Sequence, residues 1–214
     1  MWAKRIQYLN DNYTRIAKND RIFLNNPVVM SGLGLAPLVV AATSGHNAVI
    51  LSVAVLLMLT PTRILGSIVS RYLPFRALAY CLSSAVIYMG AYTLLREWFD
   101  VRIVTLGIYL PLLVVEPIII KRYERNTHEK WTTAFRKGLF TTIGYILVIL
   151  ITGILREFLA IGSVFGYQIT DTPILPLANL ASGGFIILAL LCAFWRGMVN
   201  IMKKWVNMEA KKYQ

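Results

Sequence analysis

The chain has 214 residues, of which 57% are hydrophobic and only 15% are charged. Soluble globular chains have about 45–50% apolar and about 25% charged residues, so this composition excludes an ordinary soluble domain. The net charge of +12 would suit a nucleic-acid-binding protein, but basic clusters beside long apolar runs are also expected of inserted membrane proteins. We therefore predict an all-α membrane protein that does not bind nucleic acid.

Residues 1–26 are predicted to form an amphipathic interfacial segment. Apolar side chains recur at steps of four and three, which places them on one helical face: Trp2, Ile6, Leu9, Tyr13 and Ile16. Basic residues lie outside this set, as in helices that rest on a membrane surface. A helix packed on a partner subunit would give the same pattern, and both interpretations stay open.

Six apolar runs follow, and each approaches the roughly 20 residues that cross a bilayer core. They cover residues 27–43, 48–69, 77–95, 103–120, 138–155 and 177–198. We predict six transmembrane helices over residues 27–198 and a basic cytoplasmic tail over residues 199–214.

The basic residues predict the orientation of these helices. All but three of the 22 Lys and Arg residues would lie on the side that holds both termini; the exceptions are Arg96, Arg102 and Arg156. Cytoplasmic segments carry the excess of Lys and Arg. The sequence therefore predicts that both termini are cytoplasmic.

Two of the runs share a motif. Run one reads Leu-Gly-Leu-Ala-Pro-Leu from residue 33, and run four reads Leu-Gly-Ile-Tyr-Leu-Pro-Leu from residue 106. Three spans separate the copies, so they cross in opposite directions, which indicates a 3+3 inverted repeat with halves at about 27–97 and 101–198. Gly and Pro break a membrane helix only where protein or a cavity satisfies the freed backbone groups. We predict broken helices 1 and 4 and a site between them, at Gly34, Pro37, Gly107 and Pro111.

Three stretches make the chain similar to a known family: residues 26–47 (NPVVMSGLGLAPLVVAATSGHN), residues 107–120 (GIYLPLLVVEPIII), and LREF at 155–158 followed by GSVF at 162–165. With a looser match over 177–190, they resemble the membrane subunits of Rnf and Na⁺-translocating NADH:quinone oxidoreductase complexes. The cytoplasmic N-terminus favours the RnfE- and NqrD-like members. The resemblance implies an electron-transport and ion-translocating complex of a bacterial or archaeal inner membrane. It also implies an RnfA-like partner of inverted orientation and other Rnf/Nqr-like subunits.

The chain departs from this family at the cofactor positions. Members carry one cysteine in each broken helix, and two such chains together hold a [2Fe-2S] cluster at mid-membrane. Here those positions are Ala36 and Pro117, which cannot supply the thiolates that hold such clusters. Cys81 and Cys192 lie outside the motif, where cysteine is commonly a small buried apolar residue. We expect no cofactor, metal or catalytic residue on this chain, and at most a non-catalytic role in an oxidoreductase complex.

Glu116 follows four apolar residues and precedes Pro117. A carboxylate at the bilayer centre costs about 2.5–3.5 kcal/mol on insertion scales and usually faces a bundle interior or a water-filled path. One interpretation is that Glu116 binds a proton or cation, or pairs with a basic group on a partner. The other is that the span ends early and places Glu116 at the interface, near Lys121 and Arg122.

Arg156 and Glu157 lie at the outer end of the fifth predicted helix. Adjacent helical residues do not face each other, so they are not a mutual pair. Arg156 would hold a broken-helix carbonyl or a partner's carboxylate, or would anchor the helix at the interface. Besides the electron-transport role, two functions stay open: a cofactor-free transporter or channel-like module, and a structural membrane scaffold.

Overall fold

The computed structural model describes residues 12–13, 16–17, 19–73, 75–120 and 130–212. Two short helices, α1 (Pro27–Ser31) and α2 (Leu35–Val40), precede the long helices α3 (Gly45–Val69) and α4 (Arg76–Phe99). A 3₁₀ segment (Asp100–Leu106), helix α5 (Tyr109–Leu112) and a second 3₁₀ segment (Leu113–Val115) lead towards α6 (Trp131–Ile161). An antiparallel hairpin of β1 (Ser163–Val164) and β2 (Tyr167–Gln168), a 3₁₀ turn (Pro176–Asn179) and α7 (Ala181–Lys211) follow.

Four helices of the described chain are long and apolar enough to cross a membrane: α3, α4 with its 3₁₀ continuation, α6 and α7. The shortest has 25 residues, or roughly 37 Å at 1.5 Å per residue, against a hydrocarbon core of about 30 Å. This confirms the predicted all-α class with several membrane-crossing helices. The first and fourth apolar runs instead fold as short segments with breaks between them.

Helix α3 lies at the centre of the fold and packs against both α4 and α6. Small residues allow the close approach of α3 and α6: a Cβ on Gly153 would lie 2.5 Å from the Ala48 side chain and 2.9 Å from the Ser44 carbonyl oxygen. The hydroxyls of Thr60 and Thr142 also lie 2.8 Å apart between these helices. The α3–α6 pair therefore forms the closely packed centre of the fold, and the short helices α1 and α2 contact α6 and α7.

Helix α7 lies at the periphery and exposes a row of large apolar side chains, among them Phe185, Leu190, Phe194 and Ile201. Such a face is expected of a helix that contacts lipid or another membrane protein. The helix continues as far as Lys211, so residues 199–211 are helical and continuous with the sixth predicted span, and their cytoplasmic location stays a prediction.

Part of the predicted amphipathic segment, with Trp2, Ile6 and Leu9, lies outside the described residues, and so do Lys121 and Arg122. Tyr13 and Ile16 are helical and half-buried. The surface placement of this segment stays a prediction.

Candidate functional site

The first broken segment is interrupted between α1 and α2, where Gly32 and Gly34 adopt φ angles of +67° and +73°. A Cβ at Gly34 would also lie 2.6 Å from the hydroxyl oxygen of Tyr145, so the position requires glycine. Pro37 lies in the first turn of α2, where a helix does not need the N–H that proline lacks. The break therefore falls at the predicted motif.

Asn26 fixes the start of this segment. Its side-chain oxygen accepts a hydrogen bond from the Val28 backbone N–H at 3.0 Å, which is the usual N-cap contact. Its amide nitrogen donates to the Gly144 carbonyl oxygen at 2.8 Å. The cap therefore attaches α1 to the middle of α6.

Two arginines from different long helices hold the ends of the two short helices, whose last carbonyls lack partners within the helix. Arg196 of α7 donates from Nε to the Val29 carbonyl at 2.9 Å and from Nη2 to the Met30 carbonyl at 3.0 Å, at the end of α1. Arg156 of α6 donates from Nη1 to the carbonyls of Val39 and Ala42, at the end of α2. A cation at a helix C-terminus is also favourable to the helix dipole.

Arg156 also contacts the turn that precedes α7. Its Nε donates to the Ala178 carbonyl at 3.0 Å, and its Nη2 donates to the carbonyls of Asn179 and Leu180, each at 3.3 Å. The residue is only 1% exposed. The guanidinium thus lies among backbone carbonyls and joins α2, α6 and the start of α7.

Glu157 is directed to different partners. Its Oε2 accepts from the Gly45 backbone N–H at 2.6 Å, and its Oε1 accepts from the Gly166 N–H at 2.7 Å and from Ser163 Oγ at 3.1 Å. Because Gly45 is the first residue of α3, the carboxylate lies at a helix N-terminus, where negative charge is favourable. Glu157 therefore fixes α3 and the hairpin to the end of α6.

The second broken segment contains Gly107, with φ of +49°, and Pro111 in the four-residue helix α5. Glu116 follows the last 3₁₀ segment in an extended conformation, with φ of −62° and ψ of 128°. Its carboxylate lies near the backbone N–H of Gly34. A side chain from the second broken segment therefore contacts the break of the first.

Tyr145 completes this contact from α6. The residue is fully buried, and its hydroxyl donates to the Gly34 carbonyl oxygen at 2.9 Å. The N–H of Gly34 thus lies near Glu116, and its carbonyl oxygen is bonded to Tyr145. We call Gly34, Glu116 and Tyr145 the Gly34 cluster.

Sequence reasoning missed Tyr145 and counted Arg196 only as a basic residue. Tyr145 stands inside a long apolar run, and a buried tyrosine usually needs a hydrogen-bond partner, which is a signal that could have identified it. Arg196 contacts a carbonyl 167 residues away, and no local pattern indicates that contact.

The two positions of the family's cluster cysteines lie near the breaks. Ala36 is exposed in the first turn of α2, and Pro117 is half-buried in the turn after Glu116. Cys81 and Cys192 are half-buried on α4 and α7. Among the described residues no group of three or more His, Cys, Asp or Glu could hold a metal ion. The expectation that this chain ligates no cluster stays a prediction.

Comparison with known proteins assigns the family. The sequence profile described as "Rnf-Nqr subunit, membrane protein" matches residues 15–192. The E subunit of the ion-translocating oxidoreductase complex of Shewanella sp. (strain ANA-3) is 33% identical over 203 residues, which cover 85% of this chain and 86% of the relative. The protein of the same name from Shewanella baltica (strain OS185) is 32% identical over 217 residues, with coverages of 92% and 90%. The chain therefore belongs to the Rnf-Nqr family of membrane subunits, as its RnfE- and NqrD-like motifs predicted.

Proposed function

We propose that this chain is a membrane subunit of an ion-translocating oxidoreductase complex, and that Glu116 in the Gly34 cluster binds the proton or cation that the complex moves. The observation that carries the proposal is the approach of the Glu116 carboxylate to the backbone N–H of Gly34, because it brings the two broken segments together at one polar point. In membrane proteins built from inverted repeats, paired broken helices mark the site of transport. The names of the Shewanella relatives support the assignment to a complex.

The surroundings of Glu116 suit a carboxylate that binds and releases a proton or cation. The carboxylate is half-buried and lies near the backbone N–H of Gly34. Among the residues that the structure describes, it forms no salt bridge with a Lys or Arg. Glu157, by contrast, has three donors and is 3% exposed. Glu116 therefore keeps capacity for a proton or cation, whereas Glu157 is occupied by structural contacts.

The proposed architecture is a 3+3 inverted repeat in which α1–α2 and the 100–115 region are the broken first spans of the two halves. Both termini would be cytoplasmic, in the inner membrane of a bacterium or archaeon. The distribution of Lys and Arg supports this orientation. The approach of Glu116 to Gly34 supports the inverted repeat, since segments that enter from opposite sides would meet there.

An RnfA-like subunit of inverted orientation would cover the face that includes Ala36, which is exposed in the isolated chain. Other Rnf/Nqr-like subunits would complete the complex. This chain would ligate no [2Fe-2S] cluster, because Ala36 and Pro117 offer no thiolate. Iron and acid-labile sulfide in the purified complex would then require ligands from other subunits.

The test of Glu116 uses the complex purified from native membranes and reconstituted in vesicles. Glu116→Gln removes the ionisable group with little change of shape, and we expect it to abolish ion movement coupled to electron transfer. Glu97→Gln is the control, because Glu97 is an exposed carboxylate on α4. Co-purification of the partner subunits shows that each variant has assembled. Coupled ion movement retained by an assembled Glu116→Gln complex would refute the role of Glu116.

A cofactor-free transporter is the second candidate, and the replacement of the cluster cysteines by Ala36 and Pro117 is the observation that favours it. This function predicts that the chain is stable alone and moves a solute in vesicles. Redox subunits that co-purify with it would argue against this alternative.

A further inference from the structure

A basic cavity of about 800 Å³ lies beside the beginning of α6. Its described lining comes from residues 16–22 and from the first turns of α6. Three cationic side chains line it: Arg21, Arg136 and Lys137. Hydroxyl and apolar groups add to the same wall: Thr132, Thr133, Ile22 and Phe140. The cavity thus places positive charge directly beside apolar surface.

The one carboxylate in the described lining, Asp20, is turned towards the backbone. Its Oδ1 accepts from the N–H groups of Ile22 and Phe23 at 3.0 and 3.1 Å, so it closes the turn after itself. The Arg136 guanidinium lies 5.9 Å from the centroid of the Phe140 ring. The described lining therefore has three cations to one carboxylate. The Phe140 ring lies beside one of these cations, Arg136.

The position of the cavity along α6 indicates its depth in the membrane. The helix has 31 residues, or about 46 Å, which exceeds the hydrocarbon core of about 30 Å by several turns. Its first turns carry Trp131, Arg136 and Lys137, and apolar sequence follows from Leu139. Exposed tryptophan and basic residues at a helix end are typical of the headgroup level. The cavity therefore lies where lipid phosphates lie.

We propose that this cavity binds the headgroup of an anionic phospholipid. Arg136 and Lys137 hold the phosphate, while Ile22 and Phe140 contact the glycerol and the upper acyl chains. Basic pockets between membrane helices are suited to such headgroups, and an acidic protein segment would not need the apolar wall. This inference depends on the membrane placement of α6 and not on the role of Glu116.

The test measures lipid binding to the full chain in detergent by native mass spectrometry. Phosphatidylglycerol and phosphatidylcholine with identical acyl chains are the two probes, and we expect the protein to retain phosphatidylglycerol preferentially. Each cation near an anionic headgroup contributes about fivefold in affinity. The double variant Arg136→Gln/Lys137→Gln should therefore weaken phosphatidylglycerol binding by about 25-fold.

Two further variants keep the result interpretable. Lys203→Gln/Lys204→Gln removes two exposed cations from α7 and should leave binding unchanged. Arg136→Lys/Lys137→Arg conserves the charge and should retain the lipid, which separates loss of charge from loss of folding. Equal losses in both neutralised variants, or equal retention of the two lipids by the unaltered protein, would overturn the proposal.

Two other ligands are distinguished by the same design. If millimolar inorganic phosphate displaces phosphatidylglycerol and itself binds in a way that depends on Arg136 and Lys137, the ligand is a free anion and the lipid assignment is wrong. In the purified complex, a crosslink from Lys137 to an acidic segment of another protein, with no lipid retained, would assign the cavity to a protein partner.

Discussion

The hydroxyl of Tyr145 donates a hydrogen bond to the carbonyl oxygen of Gly34 at 2.9 Å, and this contact joins the centre of α6 to the break in the first segment. Because both residues are buried, the bond is shielded from water. A broken helix in a membrane needs such partners for the backbone groups that its own ladder leaves free.

Removal of this hydroxyl should destabilise the protein without changing its packing. Tyr145→Phe leaves the Gly34 carbonyl without its donor, and a buried unsatisfied group costs about 1–3 kcal/mol. Thermal unfolding of the purified chain in detergent measures the loss. Tyr167→Phe is the matched control, because Tyr167 is 80% exposed in the hairpin. Equal stability of the two variants would contradict the importance of the contact.

Two glycines offer a comparison between a constrained and an open position. Gly34→Ala combines a φ of +73° with a Cβ 2.6 Å from the Tyr145 hydroxyl, so it should destabilise the protein by more than about 1 kcal/mol. Gly90→Ala places a methyl on α4 with nothing within 4 Å, and it should be neutral or stabilising by up to about 1 kcal/mol. Denaturation midpoints that move in the same direction would contradict this account of the break.

The protein should lose stability when Arg156 is neutralised and also when it is replaced by lysine. Arg156→Gln abolishes the charged donors to two sets of carbonyls, and we expect a loss of at least about 3 kcal/mol because each charged hydrogen bond contributes about 1.5–3 kcal/mol. Arg156→Lys keeps the charge, but a compact ammonium cannot span both sets, so it should recover only part of the loss. Thermal stability and the yield of folded protein measure both effects.

The control for these variants is Arg96→Gln, since Arg96 is exposed at the end of α4. A stability of Arg156→Lys equal to that of the unaltered chain would show that charge alone, and not the planar guanidinium, holds the carbonyls.

Glu157 gives a fourth prediction. Glu157→Gln replaces one acceptor oxygen by an amide group that meets another donor, at Gly45 or at Gly166. We expect a destabilisation of about 1–3 kcal/mol and a loosening of the hairpin that proteolysis between β1 and β2 would detect. Glu97→Gln again provides an exposed comparison. Unchanged cleavage of the hairpin would contradict the proposed link between Glu157 and that turn.

The sequence predicted the long helices because each depends on an apolar run, but it misplaced their ends. Helix α6 begins at Trp131, seven residues before the predicted start of its span at residue 138, and α7 continues through Lys203 and Lys204. Hydropathy detects only the part of a helix inside hydrocarbon. Helical turns that extend into water or headgroups carry charge and are therefore not recognised as part of the span.

The site was predictable only where its chemistry is local. Gly34 and Pro37 interrupt an apolar run, and Glu116 is a carboxylate at the end of another, so each stands out in the sequence. Arg196 does not stand out, because the count of basic residues that predicts orientation treats every Lys and Arg alike. Its role depends on which carbonyls the fold brings to it, and that is a property of tertiary packing.

The arginine contacts also have a mechanical consequence. The first half of the broken segment is attached through Arg196 to α7, and the second half through Arg156 to α6. Asn26 also attaches the first half to α6, and Arg156 also contacts the turn before α7. Sliding of α6 past α7 would therefore strain contacts on both sides of Gly32 and Gly34, so the two long helices together fix the position of the break beside Glu116.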